Sequence, residues 1–140
     1  MKNRYRYHLI LYIFVSLTLL ATPTLAQKPP QKATEKGIKL YQNQQYSHAI
    51  PLLKIGSQKG KAAAHYYLAR IYEQGLTVPK DIPQAIKLFD LASAQNHHLA
   101  QTKLGMFHIY GINVLQDFTA GLKYLQQAAT QNPEAQFILG

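Results

Sequence analysis

The sequence predicts an all-α protein, an α-solenoid of stacked antiparallel helix pairs, and three observations predict it. First, Leu68-Ala69 and Leu104-Gly105, Gly75 and Gly111, Val78 and Val114, Asp81 and Asp117, Lys87 and Lys123, Ala92 and Ala128, and Gln95-Asn96 and Gln131-Asn132 all stand 36 residues apart. Self-similarity at such a period marks a repeat architecture. Second, the apolar residues follow the helical period: Ile82, Ala85, Ile86, Phe89 and Ala92 share one stripe, and Phe118, Gly121, Leu122, Leu125 and Ala128 share the next. Each stripe is expected to be a buried face. Third, each unit is punctuated alike, with Gly75 or Gly111 closing a first helix and Asp81 or Asp117 opening a second.

The elements follow in chain order. Lys2, Arg4 and Arg6 precede an apolar run from Leu9 to Leu20, and Thr24-Leu25-Ala26 supplies small residues where a signal peptidase reads. Residues 1–26 are expected to be a signal peptide cleaved after Ala26, because a run of about 12 to 14 residues falls short of the roughly 20 that cross a bilayer core. The competing reading is an inner-membrane anchor through residues 9–22. Cleavage would leave the mature chain periplasmic or secreted. The chain has no Cys, so neither lipid attachment through an N-terminal Cys nor any disulfide is available, and stability must come from burial.

Helices near 32–43 and 46–58 make the first pair, within residues 27–60. The 36-residue step runs back to it from Ala85-Ile86 to Ala49-Ile50 and from Ser93 to Ser57. Helices at 61–74 and 82–95 make the unit 61–96, and helices at 98–110 and 118–131 make the unit 97–132. A short helix from 133 opens residues 133–140, where Ala135, Leu139 and Gly140 repeat Ala100, Leu104 and Gly105 with the step shortened to 35. A capping helix, the start of a further repeat, a truncated product and an edge that pairs with a second molecule all fit this segment. No strand is needed.

Asp81 and Asp117 suit the starts of second helices, because a carboxylate there accepts from exposed N–H groups of the first turn, and Gln84 makes Asp81 resemble a capping box. Gly75 and Gly111 suit the ends of first helices, where a residue without a β-carbon can turn left-handed. Val78 and Val114 are expected to plug the loops between. Small residues at Ala69, Gly105, Ala92 and Ala128 would let helices approach closely. On helical periodicity, Tyr67 and Tyr72 share the stripe of Leu68 and Ile71 and belong to the core, which leaves Tyr66 as the better surface candidate.

Charge is uneven. Lys28, Lys32, Lys36, Lys39, Lys54, Lys59 and Lys61 face only Glu35 in the stretch 27–61, whereas residues 62–140 carry five of each sign. A basic end can draw an acidic protein surface, a wall polymer such as peptidoglycan, or anionic headgroups at a membrane surface, and salt would weaken such attraction. The bland alternative is a solvated lysine face. Nucleic acid is set aside, because an exported protein rarely meets it.

Catalytic and metal chemistry find no constellation. Ser47, Ser57 and Ser93 lie in neither a Gly-x-Ser-x-Gly elbow nor a Ser-x-x-Lys pair. His48, His65, His97, His98 and His108 lack metal-ligand spacing and have no Cys to join them. The adjacent His97 and His98 fall at the turn between repeats and are expected to face solvent. No catalytic residue, metal or cofactor is expected.

Tyr67-Leu68-Ala69-Arg70-Ile71-Tyr72-Glu73-Gln74-Gly75, then Asp81 with Ala85-Ile86-Lys87-Leu88-Phe89, and Ala92 through Asn96, resemble the Sel-one-like repeat, a relative of the tetratricopeptide repeat. The likeness covers residues 61–140. Gly37, Tyr46, Ala49 and Leu53 make the earlier pair look like a plain tetratricopeptide unit, with a turn too short for the Gly-to-Asp loop. Thr77 and Asn113 stand where the family often has a second Gly, Ala69 replaces a usual Gly, and Gly121 replaces a usual Ala. The resemblance implies a non-catalytic adaptor of the bacterial cell envelope that binds another protein on the concave face of the solenoid. Alignment to the tetratricopeptide pattern puts Thr34, Ile38, Tyr41, Tyr66, Arg70, Glu73, Gln74, Met106 and Tyr110 towards that face. Envelope-polymer binding through the basic end is the alternative.

Overall fold

A computed structural model describes residues 30–140. The signal peptide or anchor, its cleavage point and Lys28 lie outside the described residues. Those described form seven helices and no strand. They are α1 (Pro30–Gln42), α2 (Tyr46–Gln58), α3 (Ala62–Gln74), α4 (Ile82–Ser93), α5 (His98–Tyr110), α6 (Phe118–Ala129) and α7 (Pro133–Leu139). Each packs chiefly on its sequence neighbours, α1 on α2, α3 on α4 and α5 on α6. That is the pairwise stacking of an α-solenoid, in which each unit needs the next to cover its apolar side.

The punctuation works as its chemistry requires. The Asp81 carboxylate accepts from the Gln84 N–H at 2.9 Å, and Asp117 accepts from Ala120 N–H at 2.9 Å. Gly75 and Gly111 are left-handed, at φ 71° and 66°. The carbonyl of Ile71 receives both the Gly75 and Leu76 N–H groups, at 2.9 and 3.0 Å, which closes the last turn of α3. The loop then returns so that Asp81 N–H reaches Tyr72 O, and the same bond joins Asp117 to His108 in the next unit. Val78 and Val114 pack against the core beneath these loops. Thr77 and Asn113, one residue before each Val, are themselves left-handed, at φ 61° and 55°. This backbone explains why a Gly suits that place, since a β-branched residue pays for positive φ.

The helices α5 and α6 cross at glycine. A Cβ on Gly121 would lie 2.6 Å from Ile109 Cγ1 and 2.9 Å from the Gly105 carbonyl, and one on Gly105 would lie 2.8 Å from Leu125 Cγ. The equivalent crossing of α3 and α4 carries Ala69 and Ala85, both fully buried.

The main core runs from Ala49 and Leu53 through Leu68, Ile71, Phe89 and Ala92 to Leu104 and Phe107. A second, smaller cluster of Leu125, Ala128 and Ala135 sits apart from it, backed by Ile109 and Ile138.

In the stripe of α4, Ala85, Phe89 and Ala92 are buried and Ile82 and Ile86 half-buried, whereas that of α6 is more open. Gly121, Leu125 and Ala128 are buried, whereas Phe118 is 59% exposed and Leu122 45% exposed. The period identifies a shared face, but burial needs a neighbour, and no described helix covers that edge of α6. Phe137 on α7 and Leu115 in the loop before α6 are more open still, at 87% and 92%.

Candidate functional site

The first helices of successive pairs, α1, α3 and α5, present the residues that the tetratricopeptide pattern assigns to the inner face. Their disposition is uneven. Ile38 and Tyr41 on α1 are half-buried, as are Arg70 and Glu73 on α3 and Met106 on α5, while Gln74 and Tyr110 are exposed. Thr34 is buried, its side chain set against Gly56 of α2.

Tyr66 corrects its expected surface position: it is 6% exposed, more deeply buried than the half-buried Tyr67 and Tyr72. The helical period places Tyr66 off the stripe of Leu68 and Ile71, but α3 is wrapped on more than one side. The Tyr66 ring meets Phe89 of α4 at 5.8 Å and stacks on His97, just before α5, at 4.7 Å. Burial pushes the Tyr66 phenol above its ordinary pKa, and nearby Arg70 pulls the other way.

A charged network links two repeats on this side. Arg70 Nε lies 3.0 Å from one Glu73 oxygen, and Lys103 Nζ lies 3.1 Å from the other. Arg70 also donates to the Tyr66 hydroxyl at 3.4 Å, and the Gln74 amide oxygen, turned toward the guanidinium, accepts from it. Burial works against the charge of Arg70, but Tyr66 and Glu73 hold its pKa above the ordinary value. Lys103 was not among the expected residues. Its partner lies 30 residues back, a spacing that connects first helices of neighbouring units and that single-helix periodicity does not examine.

Aromatic rings continue the surface. Tyr46, Tyr41, Tyr67, Tyr66, His97 and His98 follow one another at centroid separations of 5.3, 4.9, 5.2, 4.7 and 5.8 Å. Burial raises the Tyr41 pKa as well. His97 and His98 do not face solvent freely: both are half-buried, their rings stack, and the Nδ1 atom of each is buried without a hydrogen-bond partner. Burial, and then His98, lower the His97 pKa. A turn residue was expected to be open, but here the turn is pressed between α3 and α5.

Farther along, Asp90 of α4, His108 of α5 and Tyr124 of α6 converge. The His108 and Tyr124 rings stack at 5.6 Å, and burial raises the pKa of both Asp90 and Tyr124. Among the described residues, no three His, Cys, Asp or Glu side chains gather where they could hold a metal ion. Likewise no described helix is long and apolar enough to cross a membrane.

Stacked helix pairs, with a polar and aromatic surface across their first helices, define a repeat scaffold. The Sel1 repeat pattern matches residues 62–97 and 98–133, and the chain belongs to that family. Sel1 repeat proteins are generally protein–protein interaction scaffolds and typically non-catalytic. The structure is similar to that of a Sel1 repeat protein from Oxalobacter formigenes, with a TM-score of 0.71 and 27% identity over 85% of this chain and 50% of that one. It is also similar to a protective antigen of uropathogenic Escherichia coli that displays an SLR fold, with a TM-score of 0.72 and 21% identity over 81% of this chain and 25% of the antigen. The third likeness is to the Helicobacter pylori cysteine rich protein B, with a TM-score of 0.62 and 18% identity over 82% and 98% of the two chains. The last two show the fold alone. This chain thus spans half the length of the Oxalobacter protein and a quarter of the antigen.

Proposed function

We propose that the protein is a non-catalytic adaptor of the bacterial cell envelope, exported by cleavage near Ala26, that holds a partner protein along the concave side formed by α1, α3 and α5. The observation that carries this reading is the Arg70–Glu73–Lys103 network, which ties the first helices of two repeats into one polar surface flanked by Tyr41, Met106 and Tyr110. Tyr and Arg combine large contact area with hydrogen bonding and are the residues that most often anchor interfaces. Arg70 is already held in place by its neighbours, so little side-chain freedom is lost on binding.

The test is affinity capture from an envelope extract at low and high salt. One defined protein should be retained at both salts and lost with Arg70→Ala or Tyr110→Ala, while the helical circular dichroism is kept. Retention by both variants refutes the assignment of the face. Tyr66→Ala is unsuited to this purpose, because Tyr66 is part of the core.

A second reading rests on a separate observation. Lys32, Lys36, Lys39, Lys54, Lys59 and Lys61 are all exposed, and Glu35 is the one acidic residue among them in that stretch. This surface suits an anionic wall polymer. Salt-sensitive sedimentation with purified wall material supports it, and absence of sedimentation at low salt removes it.

A further inference from the structure

Where one repeat meets the next, the second helix of a pair faces the start of the following first helix, and the same two positions recur at each junction. At the first, the Ser57 hydroxyl and His65 Nδ1 are 2.9 Å apart. At the third, the Gln136 amide donates to the Ala129 carbonyl at 2.6 Å. At the junction between them the corresponding residues are Ser93 and Gln101, and they do not bond. Gln101 is 4% exposed, and no described residue hydrogen-bonds its side-chain amide. The amide itself is not sealed from solvent, so its donors and acceptor stay available to whatever enters beside it.

Gln101 opens instead onto a groove between α4 and α6. The groove has a volume of about 450 Å³, within the range of about 300 to 1,000 Å³ of small-ligand sites. A smaller adjoining cleft shares Asn96, Gln101 and Gln127 with it. Successive helical residues are about 100° apart, so Gln101 and Lys103 lie on opposite sides of α5. The groove therefore backs away from the Glu73 network and is independent of the protein-binding reading.

The groove is built for hydrogen bonding. Its side chains include the amides of Asn96, Gln101 and Gln127, the hydroxyls of Ser93 and Tyr124, and the ammonium of Lys123, with no carboxylate. The apolar lining is two alanine methyl groups and the Tyr124 ring. At the preceding junction the residues equivalent to Asn96, Tyr124 and Gln127 are Gly60, Leu88 and Leu91, so this junction is richer in polar side chains than the one before it. A peptide would seek apolar pockets for its side chains, and the groove offers few. A ring bearing several hydroxyls matches alternating donors and acceptors and can lay its C–H face on the tyrosine.

We propose that the groove between α4 and α6 is a binding site for a neutral saccharide, with Gln101 as its buried anchor. The experiment is NMR titration of the purified protein with maltotriose and with triacetylchitotriose, following the side-chain NH₂ signals of Gln101 and Gln127. Saturable shifts of these signals with at least one trisaccharide are expected. Gln101→Leu should abolish them at the Gln127 signal. So should Gln101→His, which recreates the Ser–His closure of the first junction and preserves the fold. The proposal is overturned if neither sugar gives saturable shifts, if the Gln127 shifts persist in both variants, or if trialanine moves the same signals at lower concentration than either sugar.

Discussion

Gly121→Ala sets two opposing effects against each other. Replacing Gly by Ala inside a helix is worth about 1 kcal/mol in stability. At Gly121, however, the new Cβ would stand 2.6 Å from Ile109 Cγ1, 2.9 Å from the Gly105 carbonyl and 3.2 Å from the Ile109 nitrogen. Ile109 Cγ1 could yield by a rotamer change, but two of the three atoms are backbone, so α5 and α6 must separate. Overpacking of this kind costs about 1 to 3 kcal/mol, and separation also strips contacts from Leu125, which is fully buried. The expected net loss is about 1 to 2 kcal/mol, read as a lower urea midpoint with unchanged slope by circular dichroism. Gly105→Ala should behave in the same direction. The double variant should cost less than the sum of the two, because one separation of the helices accommodates both methyl groups. It then carries the Ala–Ala pair found at Ala69 and Ala85. Stability equal to or above that of the parent for Gly121→Ala would refute the argument, and would mean that helix propensity outweighs the close crossing.

Other outcomes follow from single features. Thr77→Gly should raise stability by about 1 kcal/mol in the same urea assay, since Thr77 is exposed at φ 61° and a non-glycine residue pays about 1 to 2 kcal/mol there; no gain would mean that the left-handed turn is unstrained. Asn132→Ala should cost about 1 to 3 kcal/mol, because the Asn132 amide donates to buried Thr102 Oγ1 at 2.6 Å and its oxygen accepts from the first turn of α7; a loss below about 0.5 kcal/mol, the floor for a cap alone, would deny the buried bond any weight. Burial lowers the pKa of His65 and of His97, so just below the ordinary histidine value of about 6.5 the unfolded chain binds more protons than the folded one. Stability should therefore fall as the pH drops through that value. His65→Gln combined with His97→Gln should flatten the dependence of the urea midpoint between pH 7.5 and 5.5, and an unchanged slope would contradict the assignment.

The helices, their caps and their order were legible because each rests on local chemistry: an apolar period, a carboxylate at a first turn, a glycine at a last one. Boundaries shifted where turns are left-handed at a residue other than Gly, as at Asn96, φ 60°, which ends α4 at Ser93 rather than at 95. The candidate site was harder to read. Periodicity assigns faces to one helix at a time, but in a solenoid a first helix touches its own partner and the helices of adjoining repeats. Tyr66 and the His97–His98 pair were misplaced for that reason, and the Glu73–Lys103 bridge was missed for the same reason. Phe118 and Leu122 err in the opposite direction, apolar by period yet with no neighbour to bury them. Gln101 carries no local signal. It stands out only when three junctions are laid side by side: the first closes side chain to side chain, the third side chain to carbonyl, and the one between them by neither.

The division of the buried interior into two clusters bears on how the chain opens. Leu125, Ala128 and Ala135 form their own small nucleus, apart from the continuous interior that ends at Phe107. Regions with few buried apolar contacts open at lower free energy than the whole molecule. Amide protons of α6 and α7 should therefore exchange with deuterium ahead of those in α3 and α4, and proteases should first nick the exposed loop at Leu115. A molecule seated against α4, Gln101 and α6 would bridge that seam, so its binding would show as slowed exchange in the last two helices.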